Sequence, residues 1–252
     1  MVCPLFSIQR KQRRNNMVYV MSDIHGNAER FNDVMSQIDF QPEDTLYILG
    51  DAVDRYPDGI KIIVWAMKQP NVKMLLGNHE YMMLEALHHP ILPTEINMLE
   101  TEEWVRRDKM RLWYSNNGQV THEYLKHIRK TVRQEIFEWL DSLPVNIHLE
   151  VNGQKYILSH GGIEESYNAH TSRYDSVTEH AVWLRHSESQ KIPADTILIF
   201  GHTPTIHYQN DLPMRMWRNE NYINIDCGAG YGAKGRLCCL RLDDMQEFYS
   251  EI

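Results

Sequence analysis

Short, largely apolar runs alternate with amphipathic stretches over the first third of the chain. The runs 18–21, 45–49 and 72–76 have the length and composition of buried strands. Between them, the stretches 31–38 and 60–67 place apolar residues at i, i+3, i+4 and i+7, which is the spacing of one helix face. The order strand, helix, strand, helix, strand predicts a parallel sheet with right-handed crossovers.

The pattern becomes helical from residue 81 to residue 143. One helical stretch ends at Pro90, a second covers 102–114, and the apolar residues over 124–140 predict one long amphipathic helix. No linker-like composition separates this region from the rest of the chain. We therefore predict a single domain over 17–252 that carries 81–143 as a helical insert.

Strand patterns dominate the last hundred residues. The predicted strands are 147–151, 155–158, 196–200, 222–226 and 236–242. Asn152-Gly153, between the first two, is a strong signal for a two-residue hairpin. The glycine-rich segment 228–235 predicts a second hairpin, which would join the last two strands.

Polar side chains of the kind that bind metal ions follow five of the predicted strands. These are Asp23, His25, Asp51, Asn78, His160 and His202. Carboxylate, amide and imidazole ligands without thiolates suit manganese, iron or zinc. Six ligands are too many for one ion that keeps a position open for substrate, but they suffice for two ions that share Asp51. Two ions about 3.5–4 Å apart can clamp the attacking and leaving oxygens of a displacement at phosphorus. We expect the helical insert to lie over the mouth of this site.

Composition narrows the classes of protein that the chain can belong to. Its 252 residues, 42% of them hydrophobic, can form one large soluble domain. The net charge of −8 argues against stable binding to nucleic acid, which requires a basic surface. No apolar run approaches the ~20 residues of a membrane-spanning helix. The four cysteines form no CxxC pair, which favours a reducing cytoplasm over a disulfide framework.

Residues 1–16 are predicted to form a mobile basic tail. The segment Arg10-Lys-Gln-Arg-Arg14 follows a weakly apolar start, whereas a secretory signal carries its basic residues first. The predicted catalytic domain therefore begins at Met17.

Five motifs together resemble one family of hydrolases. They are Asp23-Ile-His25-Gly26, Gly50-Asp51-Ala-Val-Asp54-Arg55, Gly77-Asn78-His79-Glu80, His160-Gly161-Gly162 and Gly201-His202-Thr203. The set is similar to the calcineurin-like metallophosphoesterase superfamily, and within it to the bacterial and phage branch of the phosphoprotein phosphatases. That branch includes lambda phosphatase and symmetrical dinucleoside tetraphosphate hydrolase. The resemblance covers residues 17 to about 242 and implies a four-layer α/β/β/α sandwich of two mixed sheets.

The resemblance implies two divalent transition-metal ions, with manganese favoured and iron or zinc as alternatives. The first ion would be held by Asp23, His25, the bridging Asp51 and one histidine. The second would be held mainly by Asp51, Asn78, His160 and His202, although the ion that His202 contacts stays open. A hydroxide that bridges both ions would attack phosphorus in line with the leaving group.

Other family roles fall on residues that do not hold the metals. His79 would be the general acid that protonates the leaving oxygen, and Asp54 would orient and charge its imidazole. Arg55 would bind the phosphoryl oxygens as a planar fork, together with Asn78 and His79.

The family has a second phosphate-binding arginine between the last two histidine motifs, and two arginines of this chain lie in that interval. Arg185 is favoured over Arg173 because Trp183-Leu-Arg185 resembles the tryptophan-containing helix of bacterial members. The chain also departs from the family pattern. Tyr56 stands where glycine commonly follows the motif arginine, and Gln119 replaces the second glycine of an Asn-Gly-Gly stretch.

The resemblance implies a phosphatase for phosphorylated proteins or small phosphoesters, acting on serine and threonine and, if dual-specific, on tyrosine. The alternative is a symmetrical dinucleoside tetraphosphate hydrolase, which a base-stacking aromatic pair in the insert would support. Trp104, Trp113 and Tyr114 are available for it, although aromatic residues on helices belong more often to the core. A second alternative is a catalytically silent phosphate sensor. The intact Asp54, Arg55 and His79 argue against that alternative, because they serve chemistry rather than metal retention.

Overall fold

The computed structural model describes residues 16–92, 101–185, 187–212 and 214–251, which form two five-stranded sheets and seven α-helices. The strands are β1 (Val18–Met21), β2 (Thr45–Ile48), β3 (Val72–Met74), β4 (Asn146–Val151), β5 (Gln154–Ser159), β6 (Thr196–Phe200), β7 (Trp217–Asn219), β8 (Tyr222–Asn224), β9 (Cys238–Arg241) and β10 (Gln246–Tyr249). The helices are α1 (Ala28–Ile38), α2 (Gly59–Met67), α3 (Asn78–Leu87), α4 (Glu102–Ser115), α5 (Gln119–Lys126), α6 (Lys130–Asp141) and α7 (Val177–Trp183). Apart from Asn16, the predicted tail lies outside the described residues.

Both sheets are mixed. The first has the strand order β10-β9-β1-β2-β3, in which β1, β2 and β3 are parallel and β9 runs antiparallel to β1. The second has the order β4-β5-β6-β8-β7, with β5, β6 and β8 parallel and an antiparallel strand at each edge. The predicted strand–helix alternation at the start of the chain is confirmed. The Asn152-Gly153 hairpin is confirmed as well, and both of its turn residues have positive φ.

The two sheets pack face to face. Successive side chains of each strand point alternately toward the other sheet and away from it. Val20 and Leu240 of the first sheet meet Leu158 and Ile199 of the second in one buried cluster. Tyr19 and its same-side neighbours point the other way, into a larger cluster with α1, α2, α3, α5 and α6. The outward side of the second sheet packs against loops and short 3-10 turns. The fold is therefore an α/β sandwich with the helices concentrated on the first sheet.

The predicted long helix over 124–140 is wrong, because the chain forms two helices there. Helix α5 ends at Lys126, Arg129 is extended with ψ 141°, and α6 begins at Lys130. Leu125 and Ile136 still face the same core, so the apolar periodicity continues across the break and conceals it. The longest described helix is α4, with 14 residues. None of the helices in the described ranges has the length and apolarity required to cross a membrane.

The predicted hairpin around 228–235 is also wrong. Strand β8 belongs to the second sheet and β9 to the first, so the segment 225–237 crosses from one sheet to the other. Each strand instead forms a hairpin with a nearer neighbour, β8 with β7 and β9 with β10. A shorter connection loses less conformational entropy when it closes. Because β8 and β9 each already pair with a strand on both sides, neither has a free edge for the predicted hairpin.

Candidate active site

The six predicted metal ligands come together at the carboxyl ends of the central strands of both sheets. Asp23 and His25 follow β1, Asp51 follows β2, Asn78 opens α3, His160 follows β5 and His202 lies just beyond β6. All six side chains are buried. Parallel strands of two facing sheets end on the same side of the sandwich, which explains why residues up to 179 positions apart are in contact.

Asp51 lies at the centre of this cluster. One of its oxygens is 3.8 Å from Nε2 of His25, and the other is 3.5 Å from Nε2 of His160. Two groups of potential metal donors therefore share its carboxylate: His25, Asp51 and His79 form one, and Asp51, His160 and His202 form the other. Asp23 adjoins the first group, with its Oδ1 3.8 Å from Nε2 of His25.

The donor set fits metal ions because its lone pairs face one another. Nδ1 of His160 lies 2.8 Å from the Leu49 carbonyl and donates its proton there, which leaves a lone pair on Nε2. That lone pair points at the amide oxygen of Asn78, 2.9 Å away. Two acceptors at this distance repel unless a cation lies between them. Nε2 of His202 is likewise buried without a hydrogen-bond partner in the part of the chain that the structure describes.

The electrostatics keep His25, His202 and Asp51 in their metal-binding forms, whereas burial raises the pKa of Asp23. Burial, and then the positive charge of Arg55, holds the pKa of His25 well below its ordinary value. Burial, and then His160, does the same to the pKa of His202. Burial works to raise the pKa of Asp51, but the surrounding imidazoles outweigh it and lower that pKa. Neutral imidazoles and an ionised carboxylate are the states that bind a metal.

The backbone around the ligands is held in an unusual conformation. Six residues of the strand-end loops have φ between +51° and +69°: Asp23, His25, Asp51, Asp54, Arg55 and His202. Each non-glycine residue in this region costs on the order of 1 kcal/mol or more. Backbone hydrogen bonds compensate, including those from the Asp23 N–H to the Gly50 carbonyl and from the His25 N–H to the Asp51 carbonyl. The loops after β1 and β2 thus stabilise each other.

Glu80, the last residue of the third motif, is a site residue to which the sequence analysis assigned no role. Its buried carboxylate accepts the backbone N–H groups of Asp51, Ala52, Val53 and Gly77 at 2.8–3.2 Å. The available signal was its place at the third position of a helix, where glutamate accepts N–H groups. A Cβ at Gly77 would lie 2.3 Å from Oδ1 of Asp51, so only glycine permits this close approach.

His79 and Asp54 form a buried pair beside Asp51. Nδ1 of His79 lies 2.7 Å from Oδ2 of Asp54, and its Nε2 lies 3.8 Å from Oδ2 of Asp51. Burial works to lower the pKa of His79, but Asp51 and then the Asp54 hydrogen bond outweigh it, so that pKa is raised. The half-buried Arg55 follows directly, and its guanidinium lies 4.7 Å from the centre of the Tyr231 ring.

The two candidates for the second arginine differ in position. Arg185 follows α7, is exposed, and adds to the lowering of the His202 pKa after burial and His160, so its charge acts on the ligand cluster. The Trp183 ring next to it lies 6.1 Å from the His202 ring. Arg173 instead stacks on its neighbour Tyr174 at 5.0 Å. Of the two arginines, Arg185 is thus the one whose charge acts on a predicted metal ligand.

The family model for calcineurin-like phosphoesterases matches residues 17–226. The chain belongs to this family. Two groups of histidine and aspartate side chains that could hold metal ions meet at Asp51 in this family member. The match contains all five motifs, from Asp23 to His202.

Curated relatives of this chain include symmetrical bis(5'-nucleosyl)-tetraphosphatases. The protein from Chromobacterium violaceum is 39% identical over 69 residues, which cover 27% of this chain and 25% of the relative. The protein from Paracidovorax citrulli is 24% identical over 204 residues, covering 80% of this chain and 62% of the relative. The match therefore spans less than two thirds of these two relatives, whereas it spans 96% of a Proteus mirabilis relative at 23% identity.

The solved structures that share this fold are described as proteins with different activities. A protein proposed to be a diadenosine tetraphosphatase gives a TM-score of 0.56 at 17% identity, with 94% of each chain covered. A cold-active protein-tyrosine phosphatase from a psychrophilic Shewanella gives 0.53 at 16% identity, with 94% of this chain and 81% of that chain covered. At these identities the likeness concerns the fold alone.

Within its described residues, 81–92 and 101–143, the insert does not present an exposed aromatic pair. Trp113 is completely buried, and its indole N–H donates to Oδ2 of Asp54 at 2.8 Å. The Tyr114 hydroxyl is bonded to Nδ1 of His122 at 2.5 Å, and Trp104 is 42% exposed on α4. The prediction that aromatic residues on these helices belong to the core is confirmed for Trp113, whereas the contact of Trp113 with Asp54 was not predicted.

Proposed function

We propose that this chain is a dimetal-dependent phosphomonoester hydrolase that acts on phosphoserine and phosphothreonine in proteins. The carboxylate of Asp51, which two donor groups share beside the buried His79–Asp54 pair, supports this proposal most directly. Residues 17–252 would form one catalytic domain with 81–143 as its helical insert.

The donor set divides around Asp51 into places for two divalent ions. Asp23 and His25 would hold the first ion, Asn78 and His160 the second, and Asp51 both. His202 belongs to the second donor group, and the ion that it would contact stays open. Manganese is the first candidate, with iron or zinc as alternatives for the same oxygen and nitrogen ligands. When bound, the ions would activate water and neutralise charge on the phosphoryl group.

The remaining residues would bind the phosphate and move the proton. Arg55 would form charge-assisted hydrogen bonds with the phosphoryl oxygens, with Arg185 and the amide of Asn78 on the other side. His79 would give the proton on its Nε2 to the leaving oxygen. Asp54 would hold Nδ1–H and thereby keep the ring in the protonated state and in a fixed orientation.

Hydrolysis of symmetrical dinucleoside tetraphosphates is the second candidate. It is supported by the names of the curated relatives, at identities of 23–39%. The base-stacking pair that would have favoured it in the insert is absent from the described residues, because Trp113 is buried and Tyr114 is only partly accessible. For this reason we place the protein substrate first.

A side-by-side assay in manganese-supplemented buffer distinguishes these functions. The substrates are a phosphoserine peptide, a phosphotyrosine peptide and diadenosine tetraphosphate. Release of phosphate from the peptides with the dinucleotide intact supports the proposed function. Rapid cleavage of the dinucleotide to two diphosphates would replace it with the second candidate. If the metal-loaded protein leaves all three substrates unchanged, the result contradicts both hydrolase functions and favours the silent phosphate sensor.

A further inference from the structure

The carboxylate of Asp54 is held by the insert as well as by His79. Oδ2 accepts two donors, Nδ1 of His79 at 2.7 Å and the indole Nε1 of Trp113 at 2.8 Å. Oδ1 is buried and has no hydrogen-bond partner within the described ranges. Trp113 and Asp54 are 59 positions apart, so this contact depends on how the insert packs.

The same part of the insert also holds the backbone of the motif. The N–H of Asp54 donates to Oγ1 of the buried Thr121 at 3.0 Å, and the N–H of Arg55 donates to the Asn117 carbonyl at 3.3 Å. Asp54 and Arg55 have φ of 69° and 68°, a strained pair that persists only where its surroundings hold it. Helix α5 and the turn before it provide that support.

Gly118 shows that the indole is closely confined. A Cβ at this position would lie 2.3 Å from Nε1 of Trp113 and 2.5 Å from two of its ring carbons. The N–H of Gly118 also donates to the Trp113 carbonyl at 3.1 Å. The backbone therefore passes directly over the edge of the ring that faces Asp54, and the indole has no room to turn away from the carboxylate.

We propose that Trp113 is a positioning residue for the general acid, and that the insert serves to hold the Asp54–His79 pair in its working orientation. This proposal rests on the proposed function. With Trp113 present, two donors fix the plane of the carboxylate, and the His79 ring is fixed with it. Without the indole N–H, the carboxylate can rotate and offer its unpartnered Oδ1 to His79. The Nε2–H bond of His79 then no longer points at the leaving oxygen.

The test is Trp113→Phe, which removes the N–H and keeps most of the ring volume. Phenyl phosphate needs a proton on its leaving oxygen, because phenol has a pKa of about 10. The dinitrophenolate released from 2,4-dinitrophenyl phosphate is stable without one. We expect kcat on phenyl phosphate to fall about tenfold to a hundredfold, part of the factor that a general acid supplies. On 2,4-dinitrophenyl phosphate it should change by less than about twofold, and Trp139→Phe on α6 is the matched control.

A double variant separates positioning from general destabilisation. In a His79→Asn background, Trp113→Phe should cause no additional loss on phenyl phosphate, because the residue through which it acts is gone. An equal loss on both esters, an additional loss in this background, or full activity of the single variant would each overturn the proposal. If Trp113→Phe does not fold, Thr121→Val is assayed on the same two esters, because it removes the acceptor of the Asp54 N–H.

A readout without turnover keeps this proposal separate from the proposed function. If the wild type hydrolyses neither ester, the proposed function fails. Nitrogen-15 NMR of the His79 imidazole then decides whether Trp113 positions the pair. A displaced Nδ1–H resonance in Trp113→Phe, with the wild-type resonance in Trp139→Phe, supports positioning. An unchanged resonance in both variants overturns it.

Discussion

The carboxylate of Glu80 lies 2.8 Å from the backbone nitrogen of Asp51, so the first turn of α3 holds the loop that presents the shared metal ligand. The same carboxylate accepts the N–H groups of Ala52 and Val53. It therefore fixes the backbone of three consecutive residues at the centre of the site.

Glu80→Gln should destabilise this loop. The amide group of glutamine is a donor, and in either orientation it would face backbone N–H groups that now have an acceptor. We expect the free energy of unfolding to fall by about 1–3 kcal/mol, the cost of leaving buried donors unpaired. Urea unfolding monitored by circular dichroism measures this change. The control is Glu135→Gln on the exposed side of α6, and equal stabilities of the two variants would refute the role of Glu80.

His79→Asn should separate metal binding from turnover. We expect the metal content to match the wild type, while the hydrolysis of a phosphate ester with a poor leaving group falls by about two orders of magnitude or more. Elemental analysis and initial rates on the same preparation check both parts. A variant that turns over such an ester like the wild type would show that His79 is not the general acid.

Arg185→Ala and Arg173→Ala form a matched pair. Both remove an exposed arginine, but only the charge of Arg185 acts on His202, whereas Arg173 stacks on Tyr174. We expect kcat/KM for a phosphopeptide to fall about tenfold or more in the first variant, as a phosphate contact is lost, and to change little in the second. The reverse order would assign the phosphate contact to Arg173.

Removal of metal should lower the thermal stability. Asp23, Asp51 and the histidines around them converge on one region, and a bound cation stabilises only the folded arrangement. With manganese at about a hundredfold excess over its dissociation constant, we expect Tm to exceed that of the chelated protein by about 5–10 °C. Differential scanning calorimetry before and after chelation measures the difference. An identical Tm in both states would argue against metal binding at this cluster.

The stability of the insert should decrease as pH rises. His89 joins α3 to α6 through Glu85 at 2.5 Å and Asp141 at 2.6 Å. The Glu85 hydrogen bond is the largest cause that raises the pKa of His89 above 6.5. A raised pKa in the folded state means that the stabilisation is complete below pH 6.5 and is lost as pH rises through the folded-state value.

The comparison of wild type with His89→Asn tests this direction. The difference in Tm should be largest near pH 6, at about 2–4 °C for roughly 1 kcal/mol in a domain of this size, and should shrink by pH 9. The control is His170→Asn, at an exposed position, which should leave Tm close to the wild-type value. A difference that grows with pH would contradict the assignment.

The sequence by itself determined the strand ends and the chemistry that follows them. Asp23, Asp51 and Asn78 come directly after apolar runs, and parallel strands with helical crossovers must end on one side of the sheet. His160 and His202 follow the predicted strands 155–158 and 196–200 in the same way. Local order and strand polarity suffice for these predictions, because neither depends on how distant segments pack.

Only the tertiary structure decided which segments meet. Apolar periodicity shows which side of an element is buried but not where one helix ends and the next begins. The break between α5 and α6 was therefore not predicted, because the buried sides of both helices face the same core. The crossing of 225–237 between the sheets depended on which strand edges were already paired. The bond from Trp113 to Asp54 depended on the packing of the insert, because two side chains 59 positions apart touch only when the whole fold brings them together.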